Sequence, residues 1–234
     1  MKKETLWTPS NIFSIALTLA SAIAIVWTGI VFEQHPFRML PICVSLSVGL
    51  LQTKANRYAC LIGGINSVLY AAVYVSFGLY ASAASALLIS CPFQLMTFVR
   101  WNRRAYKHST EFQSLTKRQW LWMALIFAVS FLGCYLLLSA AGSSHRFWDI
   151  SSTLVGFFVS VLTLLGFREY TWLILPSVFL SLGLNISLMM EDMAQVTYVI
   201  YSVHASACQV LQFFAVRKLY REQRTRNSQK GETV

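Results

Sequence analysis

The 234-residue chain has few charged side chains: Asp, Glu, Lys and Arg make up 12% of it, while 56% is hydrophobic. Average soluble domains are about 25% charged, so this chain has too few polar groups to cover a water-facing surface. Several stretches run for about 20 residues without a charge, the length that crosses a bilayer as a helix. Because these runs do not alternate with polar residues, they indicate helices rather than barrel strands. The composition predicts an all-α integral membrane protein.

The chain also lacks the motifs of common enzymes and metal sites. It has no GxxxxGK[ST] phosphate loop, no HExxH or GxSxG motif and no His/Cys cluster with metal-ligand spacing. Its five cysteines are isolated, and four lie within apolar runs, where a thiol acts as a small hydrophobe. We therefore predict that the chain is not an enzyme and uses no cofactor and no metal.

Eight apolar stretches are candidate membrane spans. They are residues 11–32, 39–53, 57–77, 79–99, 119–140, 148–167, 170–190 and 193–216. With the N-terminus inside, the inner segments hold seventeen of the nineteen Lys and Arg residues, and only Arg38 and Arg146 lie outside. Cytoplasmic loops carry such an excess because Lys and Arg resist translocation. The charge pattern therefore predicts eight spans with both termini in the cytoplasm.

The net charge of +10 is concentrated at helix ends and in two segments, 100–118 and 217–230. Positive charge in these places orients a membrane protein and contacts anionic lipid head groups. We therefore predict the lipid bilayer as a partner, and no nucleic acid.

The spacing of the spans predicts two three-helix repeats. A single linking span reverses the chain between them, so both triplets enter the bilayer in the same orientation, as parallel repeats of transporters do. The predicted units are an extra N-terminal helix at 1–37, a first repeat at 38–104, a basic cytoplasmic loop and linking helix at 105–140, a second repeat at 141–218 and a disordered cytoplasmic tail at 219–234.

Polar residues at depth are the candidate binding residues, because each needs a partner inside the protein. Gln94 and Trp101 follow one stripe of a helix, and Tyr201 and His204 share a face of the last span, with Gln212 further in. Neutral amides beside aromatic rings suit a flat, polar ligand that is neutral or weakly charged. The candidate substrate-binding residues are Asn66, Tyr70, Gln94, Trp101, Asn185, Tyr198, Tyr201, His204 and Gln209.

These residues also have a purely structural interpretation. Asn and Gln often hydrogen-bond between membrane helices, and for His204 a structural role is favoured over a proton relay. No predicted span has an Asp, Glu, Lys or Arg near its centre, whereas ion-coupled transporters usually keep an ionisable group at depth. The sequence therefore favours a passive carrier.

The first predicted repeat carries a series of short motifs: a basic residue and Asn before an aromatic residue, then Gly-x-x-Asn-x-x-x-Tyr, a Gly-Leu-Tyr link, Pro-x-Gln and a Trp near the end of a helix. These positions are Asn56, Tyr58, Gly63, Asn66, Tyr70, Gly78, Leu79, Tyr80, Pro92, Gln94 and Trp101. Through them the stretch 54–104 resembles the PnuC family of bacterial nicotinamide riboside transporters. Further family landmarks are matched at Asp149, Arg168, Glu169, Trp172, and Tyr198 or Tyr201.

The resemblance implies a three-one-three helix carrier in the bacterial inner membrane, assembled as a homotrimer. It also implies that a vitamin-like nucleoside diffuses down its gradient and that a cytoplasmic kinase traps it by phosphorylation. On this basis Asn66 and Gln94 would hydrogen-bond the ligand, and Tyr70, Trp101 and Tyr201 would wall or gate it.

The leading hypothesis is therefore facilitated uptake of nicotinamide riboside or a similar vitamin. Relatives that resemble PnuC carry thiamine, riboflavin or deoxynucleosides, so one alternative is another vitamin carrier on the same scaffold. Another is a membrane sensor or assembly protein that transports nothing. A membrane enzyme is the third, and only His204 offers it a reactive group.

Overall fold

The computed structural model describes residues 9–76, 83, 86–140, 146–191, 193 and 196–231. The described residues are almost entirely helical, as predicted. The helices are α1 (Pro9–Val31), α2 (Pro36–Gln52), α3 (Tyr58–Ser76), α4 (Cys91–Arg103), α5 (Lys117–Ala140), α6 (Arg146–Leu165), α7 (Tyr170–Glu191) and α8 (Val196–Gly231). A π-helical turn (Ala86–Ser90) leads into α4, and the strands β1 (Ala105–Tyr106) and β2 (Ser109–Thr110) follow it. Apart from Ala83, the start of the predicted span 79–99 lies outside the described residues.

Four helical segments among the described residues are long and apolar enough to cross a membrane. They are Asn11–Val31, Lys117–Leu136, Tyr170–Ser187 and Val196–Gln229, and three shorter apolar helical segments are Pro36–Gln52, Tyr58–Val73 and Leu154–Leu165. Large apolar side chains such as Ile23, Leu121 and Phe179 stand exposed on the outside of the bundle. Lipid supplies the apolar surroundings that these faces need. The chain is therefore a multi-pass helical membrane protein.

Local sequence sets where two of the helices begin. Pro36 stands in the first turn of α2, where its missing N–H leaves no hydrogen bond unmade, and His35 Nδ1 accepts the Phe37 N–H at 3.2 Å. Helix α5 starts with a capping box. In it Thr116 Oγ1 accepts the Gln119 N–H at 3.3 Å, and Gln119 Oε1 accepts the Thr116 N–H at 2.9 Å. Both helices therefore begin slightly before the predicted starts at 39 and 119.

Six of the helices form a closed ring. Going around it, α2 contacts α3, α3 contacts α4, α4 contacts α6, α6 contacts α7, α7 contacts α8, and α8 contacts α2. Helix α1 lies outside this ring against α2 and α8, and α5 lies outside it against α6. The ring leaves a space on its axis, which is the natural place for a solute.

Residues 104–116, the cap segment, fold over one end of the ring. Strands β1 and β2 pair within it as a short antiparallel hairpin. The Arg57 N–H donates to His108 O at 3.0 Å, which ties the segment to the link between α2 and α3. The Gln113 N–H donates to Gly166 O at 2.9 Å, which ties it to the link between α6 and α7. The predicted basic loop is therefore a folded part of the protein at this end, the capped end.

The structure corrects the predicted disordered tail at 219–234 over residues 219–231, because α8 continues as a helix to Gly231. Residues 232–234 lie outside the described residues. Leu219 is buried in the core. The Gln223 side chain is buried as well; it accepts the Phe112 N–H at 3.0 Å and donates to Thr110 O at 2.9 Å. The segment is polar on average, but these few side chains dock on the cap segment, and tertiary packing of this kind is what stabilises most helices.

This docking gives a test of the cap. The substitution Gln223→Ala removes both hydrogen bonds and leaves a buried N–H and a buried carbonyl without their partner, at a cost of about 2 kcal/mol. We expect a lower melting temperature for the purified protein, measured by intrinsic fluorescence. Arg221→Ala, at an exposed position of the same helix, is the control and should leave the melting temperature unchanged. Equal melting temperatures for both variants would mean that the helical extension does not stabilise the protein.

Candidate functional site

A cavity of about 510 Å³ lies inside the ring, towards the capped end, and all six ring helices contribute to its wall. Its volume is typical of small-molecule sites, which measure about 300–1,000 Å³. The polar and aromatic lining residues are Gln52, Asn56, Ser90, Phe93, Gln94, Thr97, Trp101, Phe157, Ser160, Thr163, Tyr170 and Gln212. None of the described lining residues is Asp, Glu, Lys or Arg. The site is therefore uncharged, and offers amides, hydroxyls and aromatic rings.

Gln94 lies in the wall of this cavity, where α4 meets α3. Its Nε2 donates to Ser67 Oγ at 3.1 Å, and Ser67 Oγ donates to Gly63 O at 3.1 Å. A Cβ atom at Gly63 would collide with Gln94 Oε1. The glycine of the Gly-x-x-Asn motif therefore lets the Gln94 amide approach α3 closely.

Three aromatic rings close the cavity at the capped end, and we call them the aromatic layer: Trp101, Phe112 and Tyr170. The Trp101 ring centroid lies 5.7 Å from that of Phe112 and 6.5 Å from that of Tyr170. Trp101 is only 2% exposed, and its Nε1 donates to Thr163 O on α6 at 2.7 Å. The layer joins α4, α6, α7 and the cap segment. The layer therefore lies between the cavity and the cap segment.

Gln212 is a lining residue that the candidate set does not include. Its Nε2 donates to the Tyr170 hydroxyl at 3.0 Å, which fixes the direction of the amide. Its Oε1 is buried and has no hydrogen-bond partner among the described residues. A buried acceptor without a partner is costly, and a ligand donor in the cavity would satisfy it. In the sequence, Gln212 lies in the same predicted span as Gln209, three residues closer to the basic C-terminal segment.

Asn66 and Tyr70 lie outside the lining of the cavity, between α3 and α2. Asn66 Nδ2 donates to Pro41 O at 3.0 Å and to Ser45 Oγ at 2.8 Å. The Tyr70 hydroxyl lies 3.3 Å from the same Ser45 Oγ. Asn66 Oδ1 is buried without a hydrogen-bond partner among the described residues. Both side chains therefore contribute to the attachment of α3 to α2.

Three candidates on α7 and α8, Asn185, Tyr198 and Tyr201, also lie outside the cavity lining. Asn185 Nδ2 donates to Ser202 Oγ at 2.6 Å, which links α7 to α8. Tyr198 and Tyr201 pack on a buried apolar cluster around Ile42 in α2. The structure therefore brings Gln94 and Trp101 into the cavity and leaves these three residues in contacts between helices.

His204 is fully buried where α1, α2 and α8 meet. Its Nε2 lies 3.1 Å from Thr18 Oγ1, and a Cβ atom at Gly49 would come within 2.9 Å of its ring. Gln209, five residues later on α8, has a buried Oε1 without a hydrogen-bond partner among the described residues. Neither residue lines the cavity. His204 therefore joins α1 to the ring.

The described residues offer no evident place for a metal ion. Among them, no group of three or more His, Cys, Asp or Glu side chains is arranged to hold one. Cys60 is the one cysteine in the described cavity lining, and a single thiol is not a metal site. The chemistry available in the cavity is hydrogen bonding and contact with aromatic faces.

A family model described as nicotinamide mononucleotide transporter matches residues 35–208, which is most of the chain. The chain belongs to this family. It is also similar to a solved structure titled "Crystal structure of the Vitamin B3 transporter PnuC", with a TM-score of 0.74 and 20% sequence identity, over 92% of this chain and 94% of that chain. At this identity the similarity shows a shared fold. A search of curated proteins gave no significant match.

Membership in the nicotinamide mononucleotide transporter family confirms two predictions: the chain is a membrane transporter, and it is not an enzyme. The matched range starts at the link before α2 and ends at residue 208, within α8. It therefore contains all of the ring helices except the second part of α8, and it leaves out α1.

Asn66 allows a test of its structural contacts. Asn66→Ala removes two hydrogen bonds between α2 and α3, and such bonds between membrane helices contribute about 1 kcal/mol or less each. We expect a lower melting temperature in detergent, measured by intrinsic fluorescence. Ile65→Ala is a suitable control, because Ile65 precedes Asn66 on the same helix and is 56% exposed on the bundle surface. If Asn66→Ala melted at the wild-type temperature, these bonds would not hold the two helices together.

Proposed function

We propose that this chain carries nicotinamide riboside, or a closely similar vitamin, across the bacterial inner membrane by facilitated diffusion. The observation that carries the proposal is the uncharged cavity on the axis of the helix ring, with amides and aromatic rings in its wall. Small-molecule sites are typically mostly apolar cavities with a few directed polar groups, and Gln94 and Gln212 are directed in this way.

The chemistry of the cavity matches the parts of nicotinamide riboside. The ligand has a positively charged pyridinium ring, a carboxamide and a ribose. Aromatic faces attract a cation, and Trp101, Tyr170 and Phe157 supply such faces. Amides can pair with the carboxamide, and Gln212 Oε1 needs a donor. We therefore propose Gln94, Gln212 and Trp101 as the main ligand contacts.

The same cavity is a poor match for a phosphate group. The family description names nicotinamide mononucleotide, which differs from the riboside by a phosphate. Phosphate groups are commonly bound by Arg or Lys side chains, and the described lining residues include no Arg and no Lys. This difference supports the nucleoside over the nucleotide as the substrate in the cavity.

The proposed architecture is two parallel three-helix repeats, α2–α4 and α6–α8, with α5 as the linking helix. The ring supports it: α4 meets α6 and α8 meets α2, so the two triplets meet at both edges. Transporters built from repeats hold their substrate between them, and the cavity lies there. The family resemblance adds a homotrimer to this proposal, and the basic cap segment and α8 extension favour a cytoplasmic capped end.

The proposed energetics are passive. Ion-coupled carriers usually hold an Asp, Glu, Lys, Arg or His side chain at depth, and the described cavity lining contains none of these. Uptake would then follow the substrate gradient, and a cytoplasmic kinase would maintain this gradient by phosphorylating the substrate that has entered. In this scheme the chain itself performs no chemistry.

Transport into proteoliposomes tests the mechanism. With the membrane potential held at zero by equal potassium concentrations and valinomycin, because the ligand is a cation, we expect labelled nicotinamide riboside to enter vesicles that contain the protein until the inside and outside concentrations are equal. An ionophore that dissipates ion gradients should leave the initial rate unchanged. A rate that collapses with the ionophore would contradict passive transport. Faster entry of thiamine, riboflavin or a deoxynucleoside in parallel assays would contradict the proposed substrate.

Amide substitutions test the proposed contacts. We expect Gln94→Ala and Gln212→Leu each to weaken nicotinamide riboside binding about tenfold, because each removes a hydrogen bond worth about 1.4 kcal/mol in a buried site. Binding would be measured by isothermal titration calorimetry in detergent. Asn66→Ala is the matched control: it also deletes an amide, but outside the cavity lining, so the affinity should stay within twofold of wild type. Equal losses in all three variants would count against this site.

A further inference from the structure

A second pocket, of about 490 Å³, lies at the capped end between the cap segment and the last turns of α8. Arg104 and Tyr106 contribute to the side formed by the cap segment, and Arg224 and Arg226 contribute to the side formed by α8. The carrier function does not use this pocket. The part of α8 that lines it also lies beyond residue 208, where the family match ends.

The described lining of this pocket is positively charged. It contains three arginines and a single acidic residue, Glu111, with Asn227 and Ser228 as neutral hydrogen-bonding groups. Guanidinium groups bind phosphate oxygens through paired, charge-assisted hydrogen bonds. The balance of charge therefore favours an anionic ligand, and the residue type favours phosphate.

Two of the arginines are held in position by neighbours in the cap segment. The Arg226 guanidinium lies 5.7 Å from the ring centroid of Tyr106. The two Nη atoms of Arg104 lie 3.0 and 2.8 Å from the side-chain amide of Gln113. Side chains that are already ordered lose less conformational entropy when a ligand binds. These contacts therefore lower the entropic cost of ligand binding at Arg104 and Arg226.

The aromatic and basic residues near the end of α8 indicate that the pocket lies beyond the membrane interface. The Arg217 guanidinium stacks over Trp172 and Phe213, with distances of 4.6 and 4.3 Å to the ring centroids, and such aromatic residues mark the interface. Arg224 and Arg226 follow seven and nine residues later, about 10 and 14 Å further along the helix axis. The head-group layer on each side is about 5–8 Å thick. The pocket therefore faces the aqueous phase.

We propose that this pocket binds a soluble phosphate compound of nucleotide size. The arginines would hold the phosphate, and the remaining volume, much larger than inorganic phosphate requires, would hold the organic part. Sites for small organic ligands typically measure about 300–1,000 Å³. This proposal does not depend on which vitamin the central cavity carries.

Calorimetry on the full chain in phosphatidylcholine nanodiscs tests the proposal, with AMP as the probe and adenosine as its analogue without phosphate. We expect AMP to bind, and adenosine to bind at least about tenfold more weakly. The double variant Arg224→Gln/Arg226→Gln should weaken AMP binding about tenfold or more. The control Lys218→Gln/Arg221→Gln removes the same charge from exposed positions of α8 outside the pocket lining and should keep the wild-type affinity.

Four results would overturn the proposal. The first is no AMP binding by the wild-type protein, and the second is equal binding of AMP and adenosine. The third is an equal loss in both double variants, which would indicate general electrostatic attraction. The fourth is protection against thermal unfolding by phosphatidylglycerol in the nanodisc, lost in Arg224→Gln/Arg226→Gln, with no effect of AMP, which would make the pocket a lipid head-group site. Nicotinamide riboside at saturation should leave AMP binding unchanged, because it would occupy the other cavity.

Discussion

Polar side chains inside a bilayer must find partners within the protein, because lipid offers none. This constraint separates four amides of the ring into two groups. Asn66 and Asn185 use their N–H groups to join neighbouring helices. Gln94 and Gln212 stand in the cavity wall, each with its N–H group held by a hydroxyl. The first group stabilises the ring, and the second presents oriented amides to the space that the ring encloses. A carrier needs both, because a binding cavity must stay open while the helices around it stay together.

The capped end depends on contacts that cross between separate parts of the chain. Phe112 of the cap segment packs on Trp101 and Tyr170, which line the cavity. The same cap segment is bound by Gln223 of α8 and by the links between α2 and α3 and between α6 and α7. One aromatic layer thus separates the cavity from the arginine pocket beyond it, which Phe112 also lines. Movement of the cap segment would therefore change contacts both at the cavity and at the arginine pocket.

The membrane class and the helical fold could be predicted from the sequence because long uncharged apolar runs have one stable form in lipid. The positions of Gln94 and Trp101 could be predicted from their motif. The choice between Gln209 and Gln212 could not, because the two differ by only about 4.5 Å along the helix axis and 60° around it. The rotation of α8 is set by distant contacts such as that of His204 with Thr18. The helical extension of α8 was also beyond prediction, since its partner is a folded cap segment that looks like a basic loop in the sequence.

In the proposed carrier, the ring holds its substrate between Gln94 and Gln212, next to the aromatic layer. The most direct measurement is an experimental structure of the full chain with nicotinamide riboside at saturating concentration. We expect ligand density in this cavity, with the carboxamide near one of the two amides and the pyridinium ring against Trp101 or Tyr170. Ligand density elsewhere, for example beside Tyr201, or a cavity filled by protein side chains, would contradict it.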